Sequence, residues 1–358
     1  MAENQHRMNL RVVPARSEGA VEPSGPLVRI LKQSSHEWRK VAELSAMCML
    51  PARTVHEELE RLEHLGYVLE RHPQYGLRMV EAVDLLTADE IREGLSTNVV
   101  GREVVVLPEV DSTNDEAFRR AQAGCGDGVV VFSEKQRRGR GRLGRSWASP
   151  FARGLWFSVV LRPRQLEPDA TIFTLLGAVG SAEAIRSHVS LPAQIRWPND
   201  VVVRSRKLGG VLVEVRRAKT TEPVCVLGIG LDVNYSADEM PRHIRAHATS
   251  LMIECGMPVD RIHLARTVLR ALERWYVAVQ EGRSSDLVQL WRSLSSIFGK
   301  RVIVETRGHS FRGLAVDIDS NGALVLQRSK GPLRRFLPHE VTRIVEEGTP
   351  FRAPRSVY

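Results

Sequence analysis

The sequence lacks the signals of a secreted, disulfide-bonded or membrane-spanning protein. Its four cysteines are scattered and form no C-x-x-C pair: Cys48, Cys125, Cys225 and Cys255. We therefore expect reduced thiols and no zinc or other protein-held metal site. No segment approaches the roughly 18 apolar residues of a membrane span, and the N-terminus shows no apolar core of a signal peptide. These absences predict a cytoplasmic protein.

Internal repeats and extended low-complexity runs are also absent from the sequence. The chain has 358 residues, of which 43% are hydrophobic and 26% are charged, so we expect a globular protein of two or three domains rather than a disordered one. The formal net charge of +9 favours anionic partners, namely phosphates, nucleotides or nucleic acid, without choosing among them.

The first part of the chain reads as a tail followed by a small helical module. Residues 1–25 carry prolines and polar residues without a period, and we expect a flexible tail there. From Pro26, apolar side chains recur at helical spacing through three segments, the last of which ends at Gly66. The next stretch, YVLERHPQYGLRMV, alternates around a short turn and predicts a two-stranded hairpin. Residues 26–82 therefore indicate a winged helix-turn-helix, followed by a linker over residues 83–103.

This module offers a small set of candidate DNA-contacting side chains. They lie at the start of the third helix and in the hairpin: Arg53, Thr54, His56 and Arg71. The rest of the third helix is acidic between Glu57 and Glu63, which disfavours contact with phosphates. Helical modules of this kind are often packing units, so a DNA-binding role and a purely structural role both stay open.

The rest of the chain divides into two parts by its hydrophobic pattern. Residues 104–295 alternate strand-like and helix-like segments, which is typical of a mixed α/β domain built around one sheet. Within them, TIFTLLGAVGSAEAIRSHV predicts a long amphipathic helix. Residues 296–358 change to short alternating strands, with Asn321-Gly322 as a signal for a type I′ hairpin turn, and predict a small β-barrel.

The stretch EKQRRGRGRLGRSW concentrates five arginines and three glycines within Arg137–Arg145. It is either a disordered nucleic-acid-binding tail or a loop that closes over a small anionic ligand. Apolar strands flank it on both sides and it ends in Trp147, which favours the loop. Glycines let backbone N–H groups approach phosphate oxygens, and arginines add bidentate charge-assisted bonds. Because so many like charges repel one another, we expect the loop to be mobile until an anion neutralises it.

At this loop the sequence resembles the biotin protein ligases. Five motifs stand in the family's order: DSTN at Asp111–Asn114, GRGRLGRSW at Gly139–Trp147, WPNDVVV at Trp197–Val203, KLGGVLVE at Lys207–Glu214 and GIGLDVN at Gly228–Asn234. The resemblance covers residue 104 to the C-terminus, and the helical module matches the bifunctional ligase/repressor class of that family. It implies an α+β multidomain fold with a class II-synthetase-like catalytic domain and a C-terminal SH3-like β-barrel.

The resemblance also implies roles for individual residues. Biotin is assigned to Ser112, Thr113, Asn114, Gln136, Arg140, Gly141, Arg142 and Lys207. The nucleotide is assigned to Trp147, Asn199, Asp200 and Asn234. The cations that hold the biotin carboxylate and the phosphates, and so carry the chemistry, are Lys207, Arg142 and Arg140.

Several of these residues also have a plain structural explanation. The Ser-Thr-Asn run suits a helix N-cap, and Pro198-Asn199-Asp200 suits a β-turn. A lysine that follows Arg204 and Arg206, as Lys207 does, is often a solvated charge in a hairpin turn. A tryptophan that follows a loop is often a residue of the hydrophobic core. The sequence departs from the family at Asp232, which stands where an Asn is more usual, although a carboxylate can still bind Mg²⁺.

The resemblance implies an ATP- and Mg²⁺-dependent enzyme that forms biotinyl-5′-AMP and transfers biotin to a lysine of a biotin carboxyl carrier protein, a subunit of acetyl-CoA carboxylase. The bifunctional class adds repression of biotin genes at an operator, with a monomer that becomes a homodimer on ligand binding. Two alternatives stay open: a lipoate-type ligase, whose own motifs are absent here, and a biotin-sensing DNA-binding regulator with little ligase turnover.

Overall fold

The computed structural model describes residues 10–11, 25–164, 171–217, 223–329 and 331–347. The predicted tail over residues 1–25 lies mostly outside these ranges. Within it, Leu10–Arg11 forms a two-residue strand, β1, which pairs in parallel with Ala82 and Val83. None of the helices in the described ranges is long and apolar enough to cross a membrane.

The N-terminal module contains the three helices and the hairpin that the apolar spacing predicts. Its elements are α1 (Gly25–Gln33), α2 (Val41–Cys48), α3 (Ala52–His64), β2 (Val68–His72) and β3 (Gly76–Val83). The strands pair in the order β1-β3-β2. Apolar side chains at helical spacing, such as Leu27, Leu31, Val55 and Leu59, are fully buried where the helices meet. The module therefore has a hydrophobic core of its own.

The segment predicted as a linker, residues 83–103, packs closely against the rest of the molecule. It contains a short helix, α4 (Ala88–Arg92), and its apolar side chains Leu86, Ile91 and Leu95 join the core of the central domain. The Glu273 carboxylate accepts hydrogen bonds from three consecutive backbone N–H groups of residues 98–100, at 2.6–2.9 Å. The segment is therefore a connection that is packed against the central domain.

The central domain is built around one seven-stranded sheet, as the alternation of segments predicts. Its strands are β4 (Val104–Val110), β5 (Val130–Gln136), β6 (Gly154–Leu161), β7 (Gln194–Arg196), β8 (Asp200–Val203), β9 (Arg206–Arg217) and β10 (Pro223–Asp232). They pair in the order β4-β5-β6-β10-β9-β8-β7, with β4 and β5 parallel and the other neighbours antiparallel. The sheet is therefore mixed.

Helices cover the two faces of this sheet unequally. The elements are α5 (Thr113–Gln122), α6 (Thr171–Val189), α7 (Leu251–Cys255), α8 (Arg261–Gln280) and α9 (Ser284–Leu294). Alternate residues of β5 point to opposite faces: Val131 packs in the cluster under α5, whereas Val130 and Phe132 pack in the main core with α6 and α8. The face that α5 leaves partly uncovered carries the candidate site.

The prediction of an amphipathic α6 is wrong. Twelve of its 19 residues are buried, because the helix lies between the sheet on one side and α8 and α9 on the other. Two glycines permit this packing: a Cβ at Gly177 would lie 2.8 Å from Val211, and one at Gly180 would lie 2.8 Å from Leu272. A helix buried on most of its surface has no polar face.

The C-terminal part is a five-stranded antiparallel sheet that shares its core with the central domain. Its strands are β11 (Arg301–Thr306), β12 (Ser310–Ile318), β13 (Leu324–Gln327), β14 (Arg334–Phe336) and β15 (Val341–Glu346). The turn at Asn321-Gly322 is not type I′, because Gly322 has a positive φ of 79° whereas Asn321 does not. The Asp319 carboxylate holds this turn by accepting the N–H groups of Asn321 and Ala323.

A buried ionic cluster joins the N-terminal module to the central domain. The Arg261 guanidinium on α8 lies 2.8 Å from Asp84, which follows β3, and 2.7 Å from Glu134 on β5. It also donates to the Gly154 carbonyl at 3.0 Å. All three charged side chains are at least 95% buried, so each charge depends on its partners for the solvation that water would otherwise provide.

We expect Arg261→Met to lower the free energy of unfolding by about 3–5 kcal/mol, because it leaves two carboxylates buried without their shared cation. Urea unfolding, followed by far-UV circular dichroism, measures the change. The matched control is Arg283→Met, which removes an exposed arginine paired with Glu281 and should leave the stability unchanged within error. Equal losses in the two variants would contradict a structural role for the buried cluster.

Candidate ligand-binding site

The first three predicted ligand residues lie at the start of α5, beside the end of β5. Gln136 Oε1 accepts hydrogen bonds from the Thr113 backbone N–H at 2.9 Å and from its hydroxyl at 3.2 Å. Ser158 Oγ on β6 donates to the Asn114 amide oxygen at 2.6 Å and lies 2.8 Å from the Thr113 hydroxyl oxygen. Ser112 is the N-cap of α5 by its backbone, but its buried side chain makes no capping hydrogen bond. The structure thus brings these residues into one polar cluster.

The arginine-glycine stretch forms a loop with internal hydrogen bonds between β5 and β6. Trp147 N–H donates to the Gly139 carbonyl at 2.8 Å, and Gly141 N–H donates to the Arg145 carbonyl at 2.7 Å. A Cβ at Gly139 would lie 2.5 Å from the Trp147 carbonyl oxygen, so a larger residue would push the two arms of the loop apart. Gly139 therefore allows a close approach of backbone to backbone.

Carboxylates of neighbouring elements neutralise part of the positive charge of the loop. Arg137 lies 2.7 Å from Asp111 and 3.0 Å from Glu109. Arg140 makes a bidentate pair with Asp115, at 2.5 and 2.8 Å. Carboxylates of the chain itself thus relieve part of the repulsion expected among the arginines.

Arg142 does not point at the predicted biotin residues. Its guanidinium donates to the backbone carbonyls of Pro338 and Val341, the latter at 3.1 Å. Arg145 makes a similar bond to the Thr342 carbonyl at 2.9 Å. Burial lowers the pKa of Arg142, and the nearby Asp200 charge partly opposes this effect. Two arginines of the motif thus fasten the loop to the C-terminal domain.

Trp147 lies over two glycines of the sheet. Its ring contacts Gly210 on β9 and Gly230 on β10, and a Cβ at Gly230 would lie 2.7 Å from the indole Nε1. The Lys207 ammonium is 5.0 Å from the ring centroid, within reach of a cation–π interaction. The buried indole N–H finds no hydrogen-bond partner among the described residues. The tryptophan is therefore half-buried beside the site and is not part of the main core.

Lys207 belongs to a compact charged group at the start of β9. Its Nζ lies 2.6 Å from Asp200, which also pairs with Arg196 at 2.9 Å. Burial by itself would raise the pKa of Asp200, but the charges of Lys207 and Arg196 outweigh burial and lower it. The Lys207 backbone is held on both sides, by the carbonyl of His247 and the N–H of Thr249. Lys207 is thus an oriented side chain and not a free turn lysine.

Two of the residues assigned to the nucleotide have structural roles in this conformation. Asn199 donates its amide to the Val211 carbonyl at 2.7 Å, which fixes the turn before β8. Asn234 is fully buried, and its amide donates to Asp84 at 2.7 Å and to the Val259 carbonyl at 2.9 Å. Because both amide donors of Asn234 are used in the domain junction, its assignment to nucleotide binding is not supported by the structure.

Asp232, which departs from the family pattern, lies at the end of β10. Its side chain is buried, and burial raises the pKa of its carboxyl well above the usual range, with Lys207 acting in the opposite direction. The departure therefore introduces a buried carboxyl group on the Lys207 side of the site. Burial disfavours its charged form.

The candidate DNA-contacting residues do not form one cluster. Arg53, Thr54 and His56 lie in the first turn of α3, whereas Arg71 on β2 pairs with Glu63 in the last turn at 2.9 Å. Ten residues of helix separate these positions by about 15 Å. Arg53 is also paired, with Glu57 at 2.9 Å. Two of the acidic residues that disfavour DNA binding, Glu57 and Glu63, thus form ion pairs with the candidate DNA-contacting arginines.

The family motifs did not single out several residues that the structure places in the site. They are Asp115, Ser149, Ser158, Glu214 and Arg216. Asp115 directly follows the motif DSTN, and Glu214 is the last residue of KLGGVLVE. A charged residue at the end of a motif could have indicated a place in the site. Ser149, Ser158 and Arg216 lie in ordinary strand or loop sequence, and the packing of the sheet alone brings them to the site.

Two family models match this chain. The model of the Biotin/lipoate A/B protein ligase family matches residues 106–234, which include the polar cluster, the loop and Lys207. The model of the Biotin protein ligase C terminal domain matches residues 297–344. The two matches together follow the division into a central domain and a C-terminal sheet.

Individual proteins show the same similarity. The chain is 33% identical over 231 residues to a biotin–[acetyl-CoA-carboxylase] ligase of Mycobacterium tuberculosis, covering 63% of this chain and 83% of that protein. It is 29% identical over 305 residues to the bifunctional ligase/repressor BirA of Bacillus spizizenii, covering 85% and 94%.

A solved structure of a biotin protein ligase from Aquifex aeolicus in complex with biotin and ATP superposes with a TM-score of 0.61 at 26% identity, covering 69% of this chain and all of that chain. The same family is found by the matched family models, by the relative at 33% identity and by the shared fold. The chain belongs to the biotin protein ligases.

Proposed function

We propose that this protein catalyses the ATP-dependent attachment of biotin to a lysine of a biotin carboxyl carrier protein. One observation carries the proposal: the cluster of Thr113, Asn114 and Gln136 lies under the same glycine-rich loop whose Trp147 stacks near Lys207. A neutral polar cluster suits the ureido ring of biotin, and an oriented cation suits its carboxylate and a phosphate. Mass analysis of an acceptor domain after incubation with biotin and ATP tests this function directly.

In the first step the biotin carboxylate attacks the α-phosphate of ATP, forms the mixed anhydride biotinyl-5′-AMP and releases pyrophosphate. Two anions must approach each other, so the site needs a cation between them. Lys207 is the residue best placed for this role, because its ammonium is already held beside the loop by Asp200. Arg140 contributes a second cation, a guanidinium from the loop.

The nucleotide base would occupy the space beside Trp147. A Cβ at Gly230 would lie 2.7 Å from the indole Nε1, so a side chain there would displace the ring on which the base would stack. Asp200 remains a candidate for contact with the nucleotide through Lys207.

In the second step the ε-amine of the acceptor lysine attacks the carbonyl of the anhydride. An amide bond forms, the bond to the phosphate oxygen breaks, and AMP leaves with the electron pair. The loop must exclude water between the two steps, because hydrolysis would waste the anhydride. The bonds from Arg142 and Arg145 to the C-terminal domain support a loop that is closed in this way.

Mg²⁺ accompanies ATP in this proposal. Mg²⁺ keeps several waters and is usually held by one or two carboxylates together with substrate phosphates. The described residues include no group of three or more His, Cys, Asp or Glu side chains that could hold a metal ion. Burial favours the neutral form of Asp232, and Asp200 is already paired with Lys207 and Arg196, so the ATP phosphates would be the principal ligands of the ion. The ion would neutralise phosphate charge.

A second function, repression of transcription, is supported by the N-terminal module. We infer that residues 26–82 are a winged helix-turn-helix, that residues 83–103 connect it, that residues 104–295 are the catalytic domain and that residues 296–358 are an SH3-like barrel. The relative from Bacillus spizizenii, named a bifunctional ligase/repressor, matches across 85% of this chain. Operator binding by a dimer that forms on binding biotin and ATP follows from this inference, and sedimentation with and without the two ligands tests the dimer.

We expect Lys207→Ala to reduce pyrophosphate release from biotin and ATP by about 10²–10³-fold, because the two reacting anions lose their shared cation. A coupled pyrophosphate assay measures the rate. Lys300→Ala is the matched control, since Lys300 makes a similar half-exposed pair with Glu346 in the C-terminal domain. A Lys207→Ala rate close to that of the control would refute the assignment.

We expect Arg145→Ala to weaken the closure of the loop and to let biotinyl-5′-AMP escape. The hydrogen bond to Thr342 contributes about 0.5–1.5 kcal/mol, which corresponds to about a twofold to tenfold increase in leakage. Biotinylation of a bystander protein without an acceptor site measures the leak. Arg138→Ala removes the same charge from the same loop and serves as the control. Equal leakage from both variants would assign the effect to loop charge and not to the C-terminal contact.

We expect Glu57→Gln and Glu63→Gln to strengthen DNA binding, because they free Arg53 and Arg71 for phosphates. The slope of log affinity against log salt should steepen by about 0.9 for each added phosphate contact. Electrophoretic shifts over a salt series measure this, with Glu281→Gln in the catalytic domain as the control. Unchanged slopes, or no binding by any variant, would favour the structural role of the module.

A further inference from the structure

Two arginines and two carboxylates form a closed ionic cluster beside the polar residues of the site. Arg140 pairs with Asp115 through two hydrogen bonds and with Glu214 at 3.1 Å. Arg216, near the end of β9, reaches the same two carboxylates, Asp115 at 3.2 Å and Glu214 at 2.7 Å. The four charges sum to zero, and none of these side chains is more than 44% exposed.

This cluster is continuous with the proposed biotin residues. Glu214 Oε2, which faces Arg140, also accepts the Asn114 amide at 2.8 Å. Asn114 is in turn bonded to Ser158 through its amide oxygen. The position of the Glu214 carboxylate therefore determines both the orientation of Arg140 and which way the Asn114 amide faces.

The cluster is charge-balanced because of Arg216. Without this arginine, the two carboxylates would face the single guanidinium of Arg140, and the site would carry an excess negative charge. Hydrogen bonds from Arg140 and Arg216 lower the pKa of the Asp115 carboxyl, and Arg216 and Asn114 lower that of Glu214 against the effect of burial, so both carboxylates are held charged. An excess negative charge in a half-buried site repels an anionic ligand more strongly than it would in water.

We propose that Asp115, Glu214 and Arg216 are positioning residues for Arg140, and that Arg216 tunes the affinity for the biotin carboxylate by cancelling a carboxylate charge. The inference rests on the proposed ligase function and extends it to residues for which the resemblance implied no role. Asp115 and Glu214 orient the guanidinium plane of Arg140 from two sides. Arg216 is held over the Phe118 ring at 5.1 Å, which keeps its own guanidinium in place.

The test compares biotin affinity and turnover in Arg216→Gln. Loss of one charge-assisted partner and the resulting excess negative charge should raise the KM for biotin by about tenfold, with the KM for ATP and kcat within about twofold. Titration calorimetry of biotin without ATP should show the same loss of affinity. Arg120→Gln is the matched control, because Arg120 on α5 also bridges two carboxylates, Glu116 and Glu103, away from the loop.

Two further variants separate charge balance from a merely structural effect. Arg216→Lys retains the charge and should keep the wild-type KM for biotin within about threefold. The double variant Asp115→Asn with Arg216→Gln restores neutrality and should bind biotin more tightly than Arg216→Gln alone. The proposal is overturned by either of two results. One is an additive loss of biotin affinity in the double variant, and the other is a KM for biotin in Arg216→Gln that equals the KM in Arg120→Gln. A wild-type protein that releases no pyrophosphate with biotin and ATP would instead overturn the proposed function on which it rests.

Discussion

The concentration of positive charge in the arginine-glycine loop is the constraint on which the site depends. Five arginines in nine residues can lie close together only if other parts of the chain supply compensating groups. Strand β4, helix α5 and strand β9 supply carboxylates, and the C-terminal domain supplies backbone carbonyls. Each compensating contact also fixes the loop to a different element. The arginines of the loop, which would repel one another in isolation, thus hold the loop against both the central and the C-terminal domain.

At the junction between the N-terminal module and the central domain, a single buried arginine also depends on compensating charges from distant parts of the chain. Arg261 is neutralised by Asp84 and Glu134, and Asp84 also holds Asn234, so the junction continues from the N-terminal module into the end of β10. Phe151, which follows the loop, packs in the core of the N-terminal module. The module is therefore in direct contact with the exit of the ligand loop.

The contacts of the loop arginines explain why these residues differ in role although their motif is uniform. Arg140 is held within a neutral ionic cluster, Arg142 and Arg145 are bonded to another domain, and Arg137 is exposed and paired with Asp111. Lys207, which comes from a different motif, is the cation oriented toward Trp147. The cations of the site therefore come from both the loop and the sheet. Other arginines of the loop hold its conformation through their bonds to the C-terminal domain.

The sequence by itself determined most of the elements. Period-3.6 and period-2 patterns located the three N-terminal helices, most of the central strands and the C-terminal strands, because burial of apolar faces is a local requirement. The run IRWPNDVVV, predicted as one strand, is two antiparallel strands, β7 and β8. The motifs around Thr113, Gln136 and Lys207 predicted ligand residues, and the structure places their side chains beside the arginine-glycine loop and its Trp147. Only the tertiary structure decided the rest. The buried α6, the packed segment at 83–103, the use of Asn234 in the junction and the docking of Arg142 on Pro338 all depend on what lies opposite each residue. Such partners stand up to about 200 residues away along the chain, and no local pattern encodes them.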